Sequence, residues 1–220
     1  MQKSFFMSWS GGKDSALAYY RAVLEGHVPV ALFTMFEKDG YKSRSHGLPL
    51  EVMEAQAERM GLPLVVGKAD WADYEEAFIG QLTKFRESGI EMGVYGDIDL
   101  EDHLAWVQKV SATADMDVNH PLWQEPRRTI LEELVNEGFK AIITVVDTTR
   151  VDERFLGREF TRELIDELES LGIDACGEEG EFHTTIVDGP IFVEPVPIRF
   201  GEKLAIDHYR MLEVKLQSEE

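Results

Sequence analysis

The stretch Ser8-Trp9-Ser10-Gly11-Gly12-Lys13-Asp14-Ser15 decides how this chain is read. An apolar run, Phe5-Phe6-Met7, precedes it and Ala16-Leu17-Ala18-Tyr19-Tyr20 follows, so the octapeptide sits where a first strand hands over to a helix. Two adjacent glycines let the backbone turn tightly and let a ligand approach with no Cβ in the way. The amides of Gly11, Gly12 and Lys13 are then expected to converge beside the positive end of the helix dipole, which is an anion site. Ser8, Ser10 and Ser15 bring hydroxyls and Lys13 a point charge. Asp14 can cap the helix or orient a metal-bound water.

Outward from this loop, apolar runs alternate with amphipathic stretches. Strands are expected over residues 3–8, 28–36, 62–66 and 91–95, and helices over 14–25, 50–60, 74–88 and 100–114. That alternation predicts right-handed crossovers and a doubly wound, mainly parallel α/β sheet. A helix over 125–137, an apolar strand over 141–146 and a helix over 158–171 follow. The period then changes. Strands over 182–187, 191–196 and 209–216, joined by Asp188-Gly189-Pro190 and a turn at Gly201, predict a smaller C-terminal α+β domain. The division is placed near residue 100, into units over 1–100 and 101–220.

Composition narrows the function classes. With 220 residues, 44% of them hydrophobic, the chain can bury a full core. It has no run of about 18 apolar residues and no basic-then-apolar leader pattern, which predicts a cytoplasmic protein with no membrane contact. Its 42 acidic against 22 basic residues leave a net charge of -20, which repels a phosphate backbone, so no nucleic acid partner is expected. A single cysteine, Cys176, excludes an internal disulfide and a Cys-rich zinc site, and is read as a small buried residue. The apolar C-terminal strands offer a surface for a homodimer.

In doubly wound sheets ligands gather at the carboxyl ends of strands, and three segments carry polar residues there. In Ser43-Arg44-Ser45-His46-Gly47, His46 is read as a contact to a nucleotide base or phosphate, or as a plain loop histidine. In Gly96-Asp97-Ile98, Asp97 holds a magnesium or a substrate amine, or caps the next helix. In Cys176 to Thr185, Glu178, Glu179 and Glu181 repel one another unless a cation relieves them. Strand alternation puts Glu181 and His183 on one face as an acid/base or substrate-holding pair.

S-G-G-x-D-S resembles the loop of the ATP pyrophosphatases, which cleave ATP between the α and β phosphates. It differs from a Walker loop, which needs G-x-x-x-x-G-K-[ST]. Together with His46-Gly47, Gly96-Asp97-Ile98, Pro121-Leu122-Trp123, Leu156-Gly157-Arg158 and the Glu-rich segment before Phe182, it is similar to the diphthine–ammonia ligase family over about residues 3 to 197. His183 stands where that family typically has a glutamate, and His103 where it often has an arginine. The first change resembles a second, largely bacterial branch.

The resemblance implies a ligase that adenylates a small-molecule or protein-borne carboxylate with ATP and Mg²⁺, releases pyrophosphate, and forms an amide with ammonia. It places Lys13 and Asp14 at the phosphates and Asp14 and Asp97 at the metal. Glu178, Glu181, His183 and Thr184 fall at the acceptor or amine. Two other readings stay open: a tRNA-modifying enzyme with a related loop, and a nucleotide-binding module without turnover.

Overall fold

The computed structural model describes residues 1–38, 43 and 47–217. Five strands, β1 (Ser4–Ser8), β2 (Val28–Phe36), β3 (Leu64–Lys68), β4 (Met92–Val94) and β5 (Asp117–Asn119), form one parallel sheet in the order β3-β2-β1-β4-β5. Helices α1 (Lys13–Leu24), α2 (Leu50–Met60), α3 (Tyr74–Glu87) and α4 (Glu101–Thr113) make the crossovers. This is the doubly wound α/β arrangement that the alternation predicts.

Alternation within β1 accounts for the two helical layers. Phe5 and Met7 join the buried cluster that holds α1 and α2 residues, while Phe6 turns to the other face and stacks on Phe85 of α3 at 4.8 Å. The chain steps outward from β1 to β3 and then returns to β4 on the other side of β1. The topological switch point therefore lies between β1 and β4, where a ligand crevice is expected.

The second unit contains α5 (Arg127–Asn136), β6 (Lys140–Asp147), α6 (Arg162–Ser170), β7 (Phe182–Asp188), β8 (Ile198–Ile206) and β9 (Tyr209–Leu216). Its four strands form an antiparallel sheet in the order β7-β6-β9-β8. Ile143, Ile186 and Val214 share one buried cluster with Leu17 and Met53, so this sheet packs on the α1/α2 side of the first. β7 is thereby brought beside the amino end of α1. No helix among the described residues is long and apolar enough to cross a membrane.

Three expectations need correction. Residues 191–196 are not a strand; β8 occupies 198–206 instead, because Pro195 and Pro197 lack the N–H groups a ladder needs. Gly201 accordingly lies inside β8, and the hairpin turns at Asp207, whose φ is 51°. Helix α6 begins at Arg162 rather than 158, since Glu159 bridges to Ile142 and the Phe160 N–H donates to the Ala141 carbonyl at 2.8 Å. Thr161 then caps the helix, its hydroxyl accepting from the Leu164 N–H at 3.2 Å. Strand β5, three residues long, is too short to leave a periodic signal.

Candidate active site

The octapeptide leaves β1 at Ser8 and enters α1 at Lys13, at the switch point. Gly11 has a φ of 81°, and a Cβ there would lie 2.6 Å from Leu48 Cδ1, so only glycine fits without strain. Buried Gln56 of α2 holds the turn from behind. Its Oε1 accepts from the Trp9 indole N–H at 3.0 Å, and its Nε2 donates to the carbonyls of Gly11 at 3.1 Å and Ile186 at 2.9 Å. The Ile186 N–H also donates to the Gly11 carbonyl at 2.9 Å, which ties the loop to β7.

Two of the three amides expected at the anion site have partners within the chain. The Gly12 N–H donates to Ser10 Oγ at 3.3 Å, and the Lys13 N–H to Thr184 Oγ1 at 3.1 Å. Hydroxyl oxygens thus stand where an anion's oxygens would be received. Gly12 is the N-cap of α1; Asp14 does not cap it, and its carboxylate takes the Lys13 ammonium at 2.7 and 2.9 Å. Lys13 Nζ also donates to the Cys176 carbonyl at 2.5 Å. Burial opposes the lysine charge, but the neighbouring Asp14 carboxylate and the Cys176 and Glu178 groups outweigh it and raise its pKa.

A cleft of about 290 Å³ opens in front of this loop. Ser8, Ser10, Lys13, Asp14 and Ser15 line it from the first sheet, with Gly96, Asp97 and His103 beside them. From the second unit come Cys176, Glu178, His183 and Thr184. Gly96 lets the end of β4 pack closely on the start of α1: a Cβ there would lie 3.0 Å from the backbone of Asp14 and Ser15. A second cavity of about 270 Å³, between Pro49 and Met211, has none of the loop residues in its wall.

Burial, with the Asp14 charge adding to it, pushes the Glu178 carboxyl up to about 7. A carboxyl that titrates near neutrality can carry a proton in either direction. Its loop is pinned by Asp174, whose carboxylate accepts from the Cys176 and Glu178 amides at 3.0 Å each. Arg127 joins the two lips, bonding Asp99 through Nε and Nη2 at 2.9 Å each and Asp174 through Nη1 at 2.7 Å.

Asp97 lies between two imidazoles, His103 Nδ1 at 3.3 Å and His120 Nε2 at 3.4 Å. Burial would raise its pKa, but the histidines lower it to about 2. His120 Nε2 is within ion-pair distance of Asp97 yet meets no partner at hydrogen-bonding angles. Asp14 and Asp97 both face the cleft. Among the described residues no group of three or more metal-ligating side chains exists. Mg²⁺ does not require one, since it commonly takes one or two carboxylates together with phosphates and water.

Glu181 is not in the cleft wall. It is buried, accepts from the Glu179 N–H at 3.1 Å and lies 3.5 Å from Arg150. Cys176 is buried at 1% exposure, and burial pushes its thiol up to about 12. Burial therefore disfavours the thiolate that a sulfur relay would use. His46 lies outside the described residues. Sequence reading missed Gln56, His120 and Arg127. His120 closes a strand too short to notice, and nothing local distinguishes a polar residue on a helix, as Gln56 and Arg127 are, from a solvated one.

Comparison with known proteins gives two matching family profiles, the diphthamide synthase N-terminal domain over residues 2–117 and the diphthamide synthase C-terminal domain over residues 126–218. Diphthine–ammonia ligase of Rattus norvegicus is 27% identical, over 88% of this chain and 82% of its own length. Diphthine–ammonia ligase of Danio rerio is 28% identical, over 86% and 84%. A solved structure, titled as a predicted subunit of tRNA methyltransferase from Methanocaldococcus jannaschii, aligns at 16% identity with a TM-score of 0.48, over 85% of this chain and 97% of that one.

Proposed function

We propose that this chain, which belongs to the diphthamide synthase family, is an ATP-dependent carbon–nitrogen ligase that converts a carboxylate to its amide. The observation that carries the reading is the convergence on one cleft of the glycine loop at the amino end of α1 with Glu178 and His183 from the second unit. The relatives named above as diphthine–ammonia ligases support it.

A carboxylate resists attack by ammonia because the departing group would be oxide. In the proposed reaction a carboxylate oxygen attacks the α-phosphorus of ATP, the α–β bridging bond breaks, and pyrophosphate leaves. Ammonia then attacks the acyl carbon, the bond to AMP breaks, and one proton is released. The Ser10 and Ser15 hydroxyls and the dipole of α1 receive the phosphates, with the Lys13 charge behind them. Mg²⁺, when bound by Asp14 and Asp97 with the phosphates, would offset charge growing on pyrophosphate. Glu178, ionised in part at neutral pH, takes the proton that the attacking nitrogen gives up. His183 contacts the acceptor, where an imidazole selects a different group from a carboxylate.

Labelled ATP incubated with Mg²⁺, ammonium and candidate carboxylates tests the reading. AMP and pyrophosphate should form when an acceptor and ammonium are both supplied. ADP as the product, or tight binding without turnover across the acceptor panel, would overturn it.

A further inference from the structure

A larger chamber, of about 700 Å³, adjoins the cleft and shares Ser8, Tyr95, Asp97, His103 and His183 with it. Its remaining wall is chiefly aromatic: Trp71, Tyr74 and Phe78 from the α3 side and Trp106 from α4. We propose that this chamber is a ring subsite, taking a flat, uncharged conjugated ring whose attached chain reaches the groups that react at the glycine loop. The attached chain's chemistry rests on the ligase reading; the ring's does not.

Trp106 is a fixed shelf. Its indole N–H donates to Glu75 Oε2 at 3.1 Å, and the other Glu75 oxygen takes Lys109 Nζ at 2.6 Å. The indole meets Tyr74 at 41° and Phe78 at 62°, so it has no parallel stack among the described residues. An incoming ring can supply that contact, and offset stacking is what a π face favours. Charge argues against a cation as occupant. The Glu75 carboxylate is shared between Trp106 and Lys109, and Asp97 is bracketed by His103 and His120, so neither carboxylate faces the chamber unpaired. Five aromatic side chains, with each acid already in contact with a partner, suit a neutral planar group. Two sources could present one: the base of ATP, and a ring carried by the acceptor.

Calorimetric titration of the whole chain separates them. The probes are adenosine monophosphate against ribose 5-phosphate, and nicotinate or indole-3-acetate, with the nucleotide saturating, against cyclohexanecarboxylate. At least one ring ligand should bind more tightly than its ringless or saturated counterpart, and Trp106→Leu should weaken it about tenfold while Trp106→Phe keeps most of the affinity. Sensitivity of adenosine monophosphate assigns the chamber to the base; sensitivity of the ring carboxylates assigns it to the acceptor. Equal binding of ring and ringless ligands, or a Trp106→Leu protein that binds like the parent, overturns the proposal. Inorganic tripolyphosphate, titrated in parallel, reports the loop alone. If it binds while ring ligands show no preference, the subsite fails and the ligase reading stands. Ring binding without AMP and pyrophosphate formation has the opposite meaning.

Discussion

The backbone N–H of Lys13, in the first turn of α1, donates to the hydroxyl of Thr184 on β7 at 3.1 Å, across 171 residues of sequence. One of the open amides of the helix start is thereby satisfied by the other sheet, and the glycine loop is positioned by the second unit as well as by its own turn. Thr184→Val keeps the shape and removes the acceptor. It should cost about 1–3 kcal/mol in urea unfolding and weaken ATP binding, because the buried amide loses its partner. Thr184→Ser should retain most of both.

Gly11→Ala combines a left-handed backbone with a Cβ 2.6 Å from Leu48 Cδ1 and 2.9 Å from Gln56 Oε1. Backbone strain and the clash together should destabilise the protein by about 1–3 kcal/mol. Gly26→Ala provides the control. Its φ is also positive, at 88°, but its Cβ would meet nothing within 4 Å, so it should cost less on thermal unfolding.

Glu178 gives stability a pH dependence of definite sign. Its carboxyl sits near 4.5 in the ordinary state and at about 7 in the fold, so between those values the folded chain holds more protons than the unfolded one. Stability from this group therefore falls as pH rises through that window. Glu178→Gln should flatten the decline and leave the protein more stable than the parent at pH 8, measured by urea midpoints without nucleotide or Mg²⁺. A parent and variant with parallel pH profiles would contradict the assignment.

Arg127 spans Asp99 and Asp174 through three donors in a fork that lysine cannot reproduce. Arg127→Lys should fold with a loss of about 1 kcal/mol or less, since the guanidinium is partly exposed. It should nonetheless raise the KM for ATP more than it lowers kcat, because Asp174 orders the Cys176 and Glu178 amides of the opposite lip. Equal KM in variant and parent would confine Arg127 to surface pairing.

His183 lines both the cleft and the adjoining chamber. His183→Glu restores the residue typical of the family this sequence resembles, and it should move acceptor preference toward diphthine in a competition assay. An unchanged preference would turn attention to His103, which lines the same two spaces.

The β1 to β4 part of the first sheet was legible because its apolar runs alternate with helices of clear periodicity, whereas three-residue β5 was not; the glycine loop was legible because its spacing is local. The second unit was less so. Pro195 and Pro197 displaced a strand from 191–196 to 198–206, and Glu159 was drawn into a bridge that the helical pattern over 158–171 concealed. Among the candidate site residues, Asp97, Glu178 and His183 share the cleft wall, whereas Glu181 turns to the Glu179 amide and Arg150. Alternation along a strand specifies a face only where the strand exists, and β7 begins at Phe182.

By itself, the amino-acid sequence determined that a glycine loop opens a helix at the head of a parallel sheet, since strand period, glycine pair and helix start all lie within a few residues of one another. Tertiary structure decided what that loop faces and how its donors are used. Thr184 and Ser10 occupy two of its amides, Lys13 is shared between Asp14 and the Cys176 carbonyl, and Gln56 braces Gly11. The reason is distance along the chain. Most of these contacts, like the Arg127 bridge between the lips, join residues tens to more than a hundred positions apart, and no local pattern encodes which hydroxyl or carboxylate will arrive there.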